Sequence, residues 1–170
     1  MDHCPIRRNV DSQLENEGRV VLHAVEVPSQ AKGIEWRYRF DKPPEGWMKP
    51  DFADADWKKG EAGFGTRGTP GAVVRTEWKS ADIWIRREFE LPERKFDNLH
   101  LLMHHDEDAE VYLNGVLAAK VTGYITDYEI ESISLEALKG LKPGKNLIAI
   151  HCHQTTGGQY IDVGLARVKE

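Results

Sequence analysis

Along much of this chain apolar and polar residues take turns, which is the period of a β-strand with one buried face. Leu99, Leu101 and Met103 alternate with His100, Leu102 and His104; after an acidic break, Val111, Tyr112 and Leu113 run into Asn114-Gly115. Asn-Gly tolerates the positive φ of a two-residue type I′ turn, so Val116 to Val121 is predicted to pair back on the strand before it. Leu99 to Val121 is therefore expected to form the centre of an antiparallel sheet. Upstream, the β-branched run Arg19 to Val27 reads as a strand ended by Pro28. Trp36, Tyr38 and Phe40 share one face of a second strand, with Arg37 and Arg39 on the other. In Ile83 to Leu91, Ile83, Ile85, Phe89 and Leu91 point inward and Trp84, Arg86, Glu88 and Glu90 outward. Arg87 falls on the inward side, so it needs the strand's rim or a carboxylate partner.

Downstream, Gly123 to Glu131 is predicted to add a strand, and Ser134 to cap a short helix, Leu-Glu-Ala-Leu-Lys, closed by Gly140. A turn at Lys142-Pro143-Gly144-Lys145 leads into a strand with Leu147, Ala149, His151 and His153 on one face and Ile148, Ile150 and Cys152 on the other. Gly157-Gly158 precedes a last strand, Gln159 to Val168. The sum is about eight or nine short strands and one small helix, the signature of an all-β, antiparallel sandwich or jelly roll. Residues 1 to 18 carry mixed charge without periodicity and read as a linker or frayed leader, leaving 19 to 170 as a single domain. Asp41 to Asp82 is rich in Gly and Pro and reads as a long loop, uncommon in a compact domain and often functional. It holds Trp47, Trp57 and Trp78, which either plug it onto the sheet or, for Trp47 and Trp78, mark a binding surface.

Composition narrows the classes of partner. A net charge of −5 argues against a nucleic-acid partner held by a broad basic field. No run of apolar residues is long enough to span a membrane, and the N-terminus lacks the apolar core of a signal peptide. If the chain is part of a larger exported protein, its export signal lies upstream. Two cysteines in unlike settings, Cys4 and Cys152, make no disulfide framework.

Three constellations could carry chemistry. Asp106, Glu107, Asp108 and Glu110 lack the spacing of a helical calcium loop, and adjacent loop carboxylates rarely face each other across a sugar as a glycosidase pair must. They read as a bend whose Asp side chains accept backbone N–H bonds. His104 and His105 end one strand and His151 and His153 share a face of another, so three imidazoles could converge on a metal if those strands are neighbours. Alternatively, His105, Asp106, His153, Gln154 and Tyr160, near a loop tryptophan, supply the donors, acceptors and ring that sugar hydroxyls and C–H faces need. Nucleophilic catalysis finds no G-x-S-x-G and no phosphate loop; Gly63-Phe64-Gly65 reads as tight turns.

The order of Asp54-Ala55-Asp56-Trp57, Gly63-Phe64-Gly65, Ile83-Trp84-Ile85-Arg86, Ala109 to Gly115, Leu141 to Asn146 and Gly158-Gln159-Tyr160-Ile161-Asp162 resembles the galactose-binding-like jelly-roll domain. Closest in pattern are the sugar-binding domain of family 2 glycoside hydrolases and similar accessory modules of secreted bacterial hydrolases. The resemblance spans roughly residues 34 to 168 and rests on the D-x-x-W-x-x-G, E-V-Y-L-N-G and P-G-x-N-x-I-A-I segments in this order. It implies a non-catalytic module that binds a glycan or packs beside a catalytic domain, secreted or periplasmic as part of a larger protein. Some relatives bind structural calcium; their motif does not map onto this chain, so calcium remains an option. A scaffold that binds no sugar, and a small metal-binding jelly-roll enzyme, are the alternatives.

Overall fold

The computed structural model describes residues 21–26, 28–93 and 98–169, which build twelve strands and one helix. The segment read as a leader, with Cys4, and the strand-run residues Arg19, Val20 and Val27 lie outside the described residues. In chain order the strands are β1 (Val21–Glu26), β2 (Ile34–Arg39), β3 (Lys58–Ala62), β4 (Phe64–Gly65), β5 (Thr76–Glu77), β6 (Asp82–Leu91), β7 (Leu99–Asp106), β8 (Asp108–Leu113), β9 (Val116–Val121), β10 (Glu129–Ser132), β11 (Gly144–His153) and β12 (Tyr160–Lys169). The helix α1 (Leu135–Lys139) sits between β10 and β11, its N-terminus capped by the Ser134 hydroxyl, which accepts from the Ala137 N–H.

The strands form an all-β sandwich of two sheets. The first runs β10-β7-β12-β4-β5 with β1 beside β12, and the second β3-β2-β6-β11-β8-β9. Of the pairs described, β4 with β5 is parallel and the rest are antiparallel. Alternation aims Ile83, Ile85 and Phe89, Val111 and Leu113, and Ile148, Ile150 and Cys152 of the second sheet against Leu101, Met103, Ile161, Val163 and Leu165 of the first. Each such side chain contributes roughly 1.5–3 kcal/mol by leaving water.

The central stretch behaves differently from a single sheet. β7 pairs with β10 and β12, whereas β8, one residue further on, pairs with β9 and β11 in the opposite layer. The chain crosses the sandwich at Glu107, which the acidic break signals but periodicity cannot specify. The hairpin beyond it forms as predicted, with φ of 47° at Asn114 and 86° at Gly115. Asn114 does more than tolerate the turn. Its Oδ1 accepts the Leu147 N–H at 2.8 Å, and its Nδ2 donates to Asn146 Oδ1 at 2.8 Å, pinning the turn to the entry of β11.

Asp41 to Asp82, read as loop, contains β3, β4 and β5. Lys58-Lys59-Gly60-Glu61-Ala62 carries no apolar alternation because it is an edge strand whose side chains are mostly exposed. Gly63 and Gly65 are sites of close approach, not tight turns. A Cβ on Gly63 would lie 2.1 Å from the Tyr160 hydroxyl oxygen, and one on Gly65 2.3 Å from the Gln159 carbonyl oxygen. The strand expected over Gly123 to Glu131 shortens to β10, with Tyr124 making one isolated bridge to Asp106.

The remaining loop, 41–57, folds onto the outer face of β6, and its anchor is Arg86. The outward arginine of the alternation is the buried one, at 2 % exposure. Its Nε donates to Asp54 Oδ2 at 2.8 Å, and its other nitrogens donate to the carbonyls of Trp47, Lys49 (3.0 Å) and Phe52 (3.2 Å). Phe52 packs its ring 5.3 Å from the guanidinium. Arg87, expected to need a rim or a carboxylate, is half-buried with its guanidinium 6.0 Å from the Trp36 ring centroid.

Replacing Arg86 by Met leaves Asp54 and the loop carbonyls without their shared donor and is expected to cost roughly 3 kcal/mol. Arg86→Lys should recover only part of this, since an ammonium lacks the planar fork. Urea denaturation checks both, and equal midpoints for all three proteins would refute the anchor.

Candidate functional site

The residues singled out from sequence fall into two separate places. His105, Asp106 and Tyr160 belong to the first sheet, where Tyr160 lies opposite Asp106 in register. All three are buried. Tyr160 donates its hydroxyl to the Val73 carbonyl, and His105 Nδ1 lies 2.8 Å from the Glu107 carbonyl and 3.1 Å from that of Gly123, so that nitrogen carries the proton. Asp106, read as a solvated cap, has its carboxyl pushed up by burial and by the neighbouring Glu107 charge. It is Asp108 that caps backbone, accepting the Gly123 N–H at 2.8 Å.

The tryptophans offered as binding surfaces are covered. Trp78 is fully buried in the core with its indole N–H donating to the Asp82 carbonyl, and Trp47 packs edge-on against Tyr112 under the Arg86 loop. Neither presents a ring face to a ligand, because the loop needs them as its attachment. Trp57 plugs the loop in the same way. The three-imidazole convergence does not form either: His104 and His105 sit on β7 and His151 and His153 on β11, in opposite sheets. Among the described residues, no group of three or more His, Cys, Asp or Glu is placed to hold a metal ion. Cys152 is buried between the sheets, with its thiol pushed far up by desolvation.

His153 opens onto the outer face of the second sheet, where the register assembles a polar surface that alternation alone does not reveal, while Gln154, just past the strand, donates its Nε2 to the Gly157 carbonyl. His151 lies opposite Trp84 on one side and Glu110 on the other, and Glu110 lies opposite Lys120. The His151 and Trp84 rings stack at 4.6 Å with planes 3° apart. Asp82 Oδ1 accepts from His151 Nε2 and from His153 Nδ1, each at 2.8 Å. Burial opposes ionisation of Asp82, but the two imidazole hydrogen bonds together outweigh it and hold the carboxyl below its usual range. The hydrogen bond from Lys120 does the same for Glu110, despite partial burial and with help from the Tyr112 hydroxyl. Desolvation and Glu110 in turn push Tyr112 up to about 12.

Glu110, Lys120, His151 and His153, with Asp108, line a hollow of about 150 Å³. A second hollow of about 190 Å³ lies toward the other edge of the same sheet, lined by Arg39, Phe40, Asp41, Asp56, Trp57 and Lys58. The chemistry available is hydrogen bonding from fixed donors and acceptors. Asp82 and Glu110 are both held ionised, so neither is poised as the general acid that glycoside cleavage requires. His153 was legible in sequence. Asp82, Glu110, Lys120, Trp84 and His151 become a site only through strand pairing.

On the outer face of the first sheet, His104 lies opposite Asp162 in register, and both are buried. Asp162 accepts the Tyr128 hydroxyl, while His104 Nε2 bonds the Ile125 carbonyl at 3.0 Å. Desolvation lowers His104 to about 4 and raises Asp162 to about 6. The folded state therefore disfavours both charges. His104 contributes stability that is present above pH 6.5 and lost as pH falls toward about 4. Asp162, raised from 3.8 to about 6, contributes stability that is present below pH 3.8 and lost as pH rises through about 6. The two oppose each other over the shared window. Relative to wild type, Asp162→Asn should lose on the order of 3 kcal/mol as pH falls from 6 to 3.8, and His104→Asn should gain a similar amount as pH falls from 6.5 to 4. Urea titrations at several pH values check this, and parallel pH profiles for the three proteins would contradict it.

No protein-family model matches the chain, and a search of curated proteins finds no match. Solved structures do share its fold. β-Glucuronidase 2 of Bacteroides uniformis superposes with a TM-score of 0.56 at 16 % identity, over 88 % of this chain and 18 % of that one. The Bifidobacterium dentium β-glucuronidase superposes at 0.53 and 16 % identity, over 85 % and 22 %. A glycosyl hydrolase family 2 member from Bacteroides cellulosilyticus superposes at 0.53 and 14 % identity, over 77 % and 20 %. At this identity the likeness is one of fold, and the chain spans about a fifth of the length of those proteins.

Proposed function

We propose that this chain is a non-catalytic module of a larger, exported glycoside hydrolase-like protein and that it contacts carbohydrate through the outer face of its second sheet. The observation that carries this reading is the open cluster of Asp82, Glu110, Lys120, His151 and His153. Glu110, Lys120, His151 and His153 line one hollow, and Asp82 beside them accepts from both imidazoles, with Trp84 stacked against His151. Hydroxyl-rich ligands are recognised by such convergent planar groups. The fold supports the setting, since the similar structures are enzymes several times longer in which a domain of this size is one part. A catalytic neighbour in the same polypeptide, and an export signal upstream of this segment, belong to the same proposal.

A second reading, a scaffold that packs against that neighbour, has its own observation. Leu117 and Leu135 are exposed at 42 % and 74 %, and the Ser134 hydroxyl bond to the Leu117 carbonyl brings their backbones together. An apolar pair of this kind is a surface that a neighbour would cover. The two roles are compatible, being on different parts of the molecule.

A glycan-array screen of the chain, repeated with calcium and with chelator, tests the first reading. Binding should survive the chelator and fall about tenfold or more in His153→Ala, which corresponds to about 1.4 kcal/mol. The same variant should melt within about 0.5 kcal/mol of wild type, because His153 is exposed. Silence on the array in both conditions would leave the scaffold reading.

A further inference from the structure

The hollow lined by His151 and His153 is rich in acceptors and short of donors. An ionised Asp82 can only accept, so the 2.8 Å contacts to its Oδ1 place a hydrogen on His151 Nε2 and on His153 Nδ1. In the neutral rings this leaves His151 Nδ1 and His153 Nε2 as acceptors. Asp108 and Glu110 add their carboxylates to the lining, and Asp82 stands beside it. Asp108 accepts the Gly123 N–H through Oδ1, which fixes the direction of its second oxygen. Against these carboxylates the lining holds one cation, Lys120, whose ammonium is already turned to Glu110 at 3.0 Å. The hollow therefore carries a net negative charge.

We infer that this hollow takes a sugar with a free, protonated amine, a hexosamine unit of a glycan chain, in preference to a neutral or an acidic sugar. The inference rests on the reading of this face as a carbohydrate contact and names the class of sugar. An ammonium brings N–H donors and a positive charge to a place that offers acceptors and carboxylates. N-acetylation removes the charge and leaves a single N–H, so the acetylated unit loses what the hollow supplies. A uronate sets its carboxylate against Asp108 and Glu110, and that like-charge approach costs affinity. Lys120 competes with the incoming ammonium for Glu110.

Titration calorimetry of the full chain, at about pH 7 and about 0.15 M salt, tests this with short glucosamine oligosaccharides. Their fully N-acetylated counterparts, neutral β-glucan oligosaccharides of equal length and oligogalacturonides are the comparisons. The amine series should bind about tenfold or more tighter than the acetylated one, the difference a charge-assisted hydrogen bond makes. Oligogalacturonides should bind weakest. Asp108→Asn keeps an acceptor for the Gly123 N–H while removing a charge, and should weaken the amine series several-fold. Lys120→Ala frees Glu110 and should tighten that series several-fold; Lys120 is exposed, so its variant should keep the fold. Glu129→Gln removes a charge from the exposed edge of the first sheet and should leave affinity within about twofold, because salt screens distant charges. Equal or tighter binding of the acetylated, neutral or acidic series overturns the amine preference while leaving a carbohydrate contact in place. Weaker binding of the amine series in Lys120→Ala, or equal losses in Asp108→Asn and Glu129→Gln, does the same. Silence toward every series overturns both.

Discussion

Four acceptors converge on the guanidinium of Arg86, and the shape of the second sheet's outer face follows from that convergence. The segment 41–57 brings aromatic rings of its own, but its backbone carbonyls also need donors where it lies against the sheet. A planar cation with five N–H groups can serve several carbonyls and a carboxylate at once. Once held, the segment lays Trp47, Phe52 and Trp57 over Ala149, Leu147 and Tyr112. Part of the outer face becomes a second small core, and the polar remainder is open to solvent.

That remainder owes its electrostatics to sharing. Asp82 serves two imidazoles and Glu110 serves an ammonium and a phenol, so each carboxylate is held ionised by partners that also fix its direction. Preorganised acceptors of this kind suit recognition better than proton transfer, since a group stabilised in one protonation state is a poor shuttle. The first sheet shows the opposite arrangement. His104 and Asp162 are neighbours from which water is excluded, and desolvation pushes each toward its neutral form.

Periodicity and turn chemistry alone determined the class of fold, the Asn114-Gly115 hairpin, the Ser134-capped helix and the two faces of β6 and β11, because each is set by contacts a few residues apart or by the two-residue strand period. The short strands β3, β4 and β5 escaped because edge strands carry little hydrophobic pattern. Only the tertiary structure decided that β7 and β8 part at Glu107 into different sheets, that the buried arginine is Arg86 and not Arg87, and that His104 and His153 never meet. The physical reason is the same in each case. Alternation states which face a side chain takes but not what lies across from it or on top of it. Covering by the 41–57 segment turned an outward face inward at Arg86, and strand register, which is set by pairing between segments up to about seventy residues apart, turned Asp82, His151 and His153 into one hydrogen-bonded cluster.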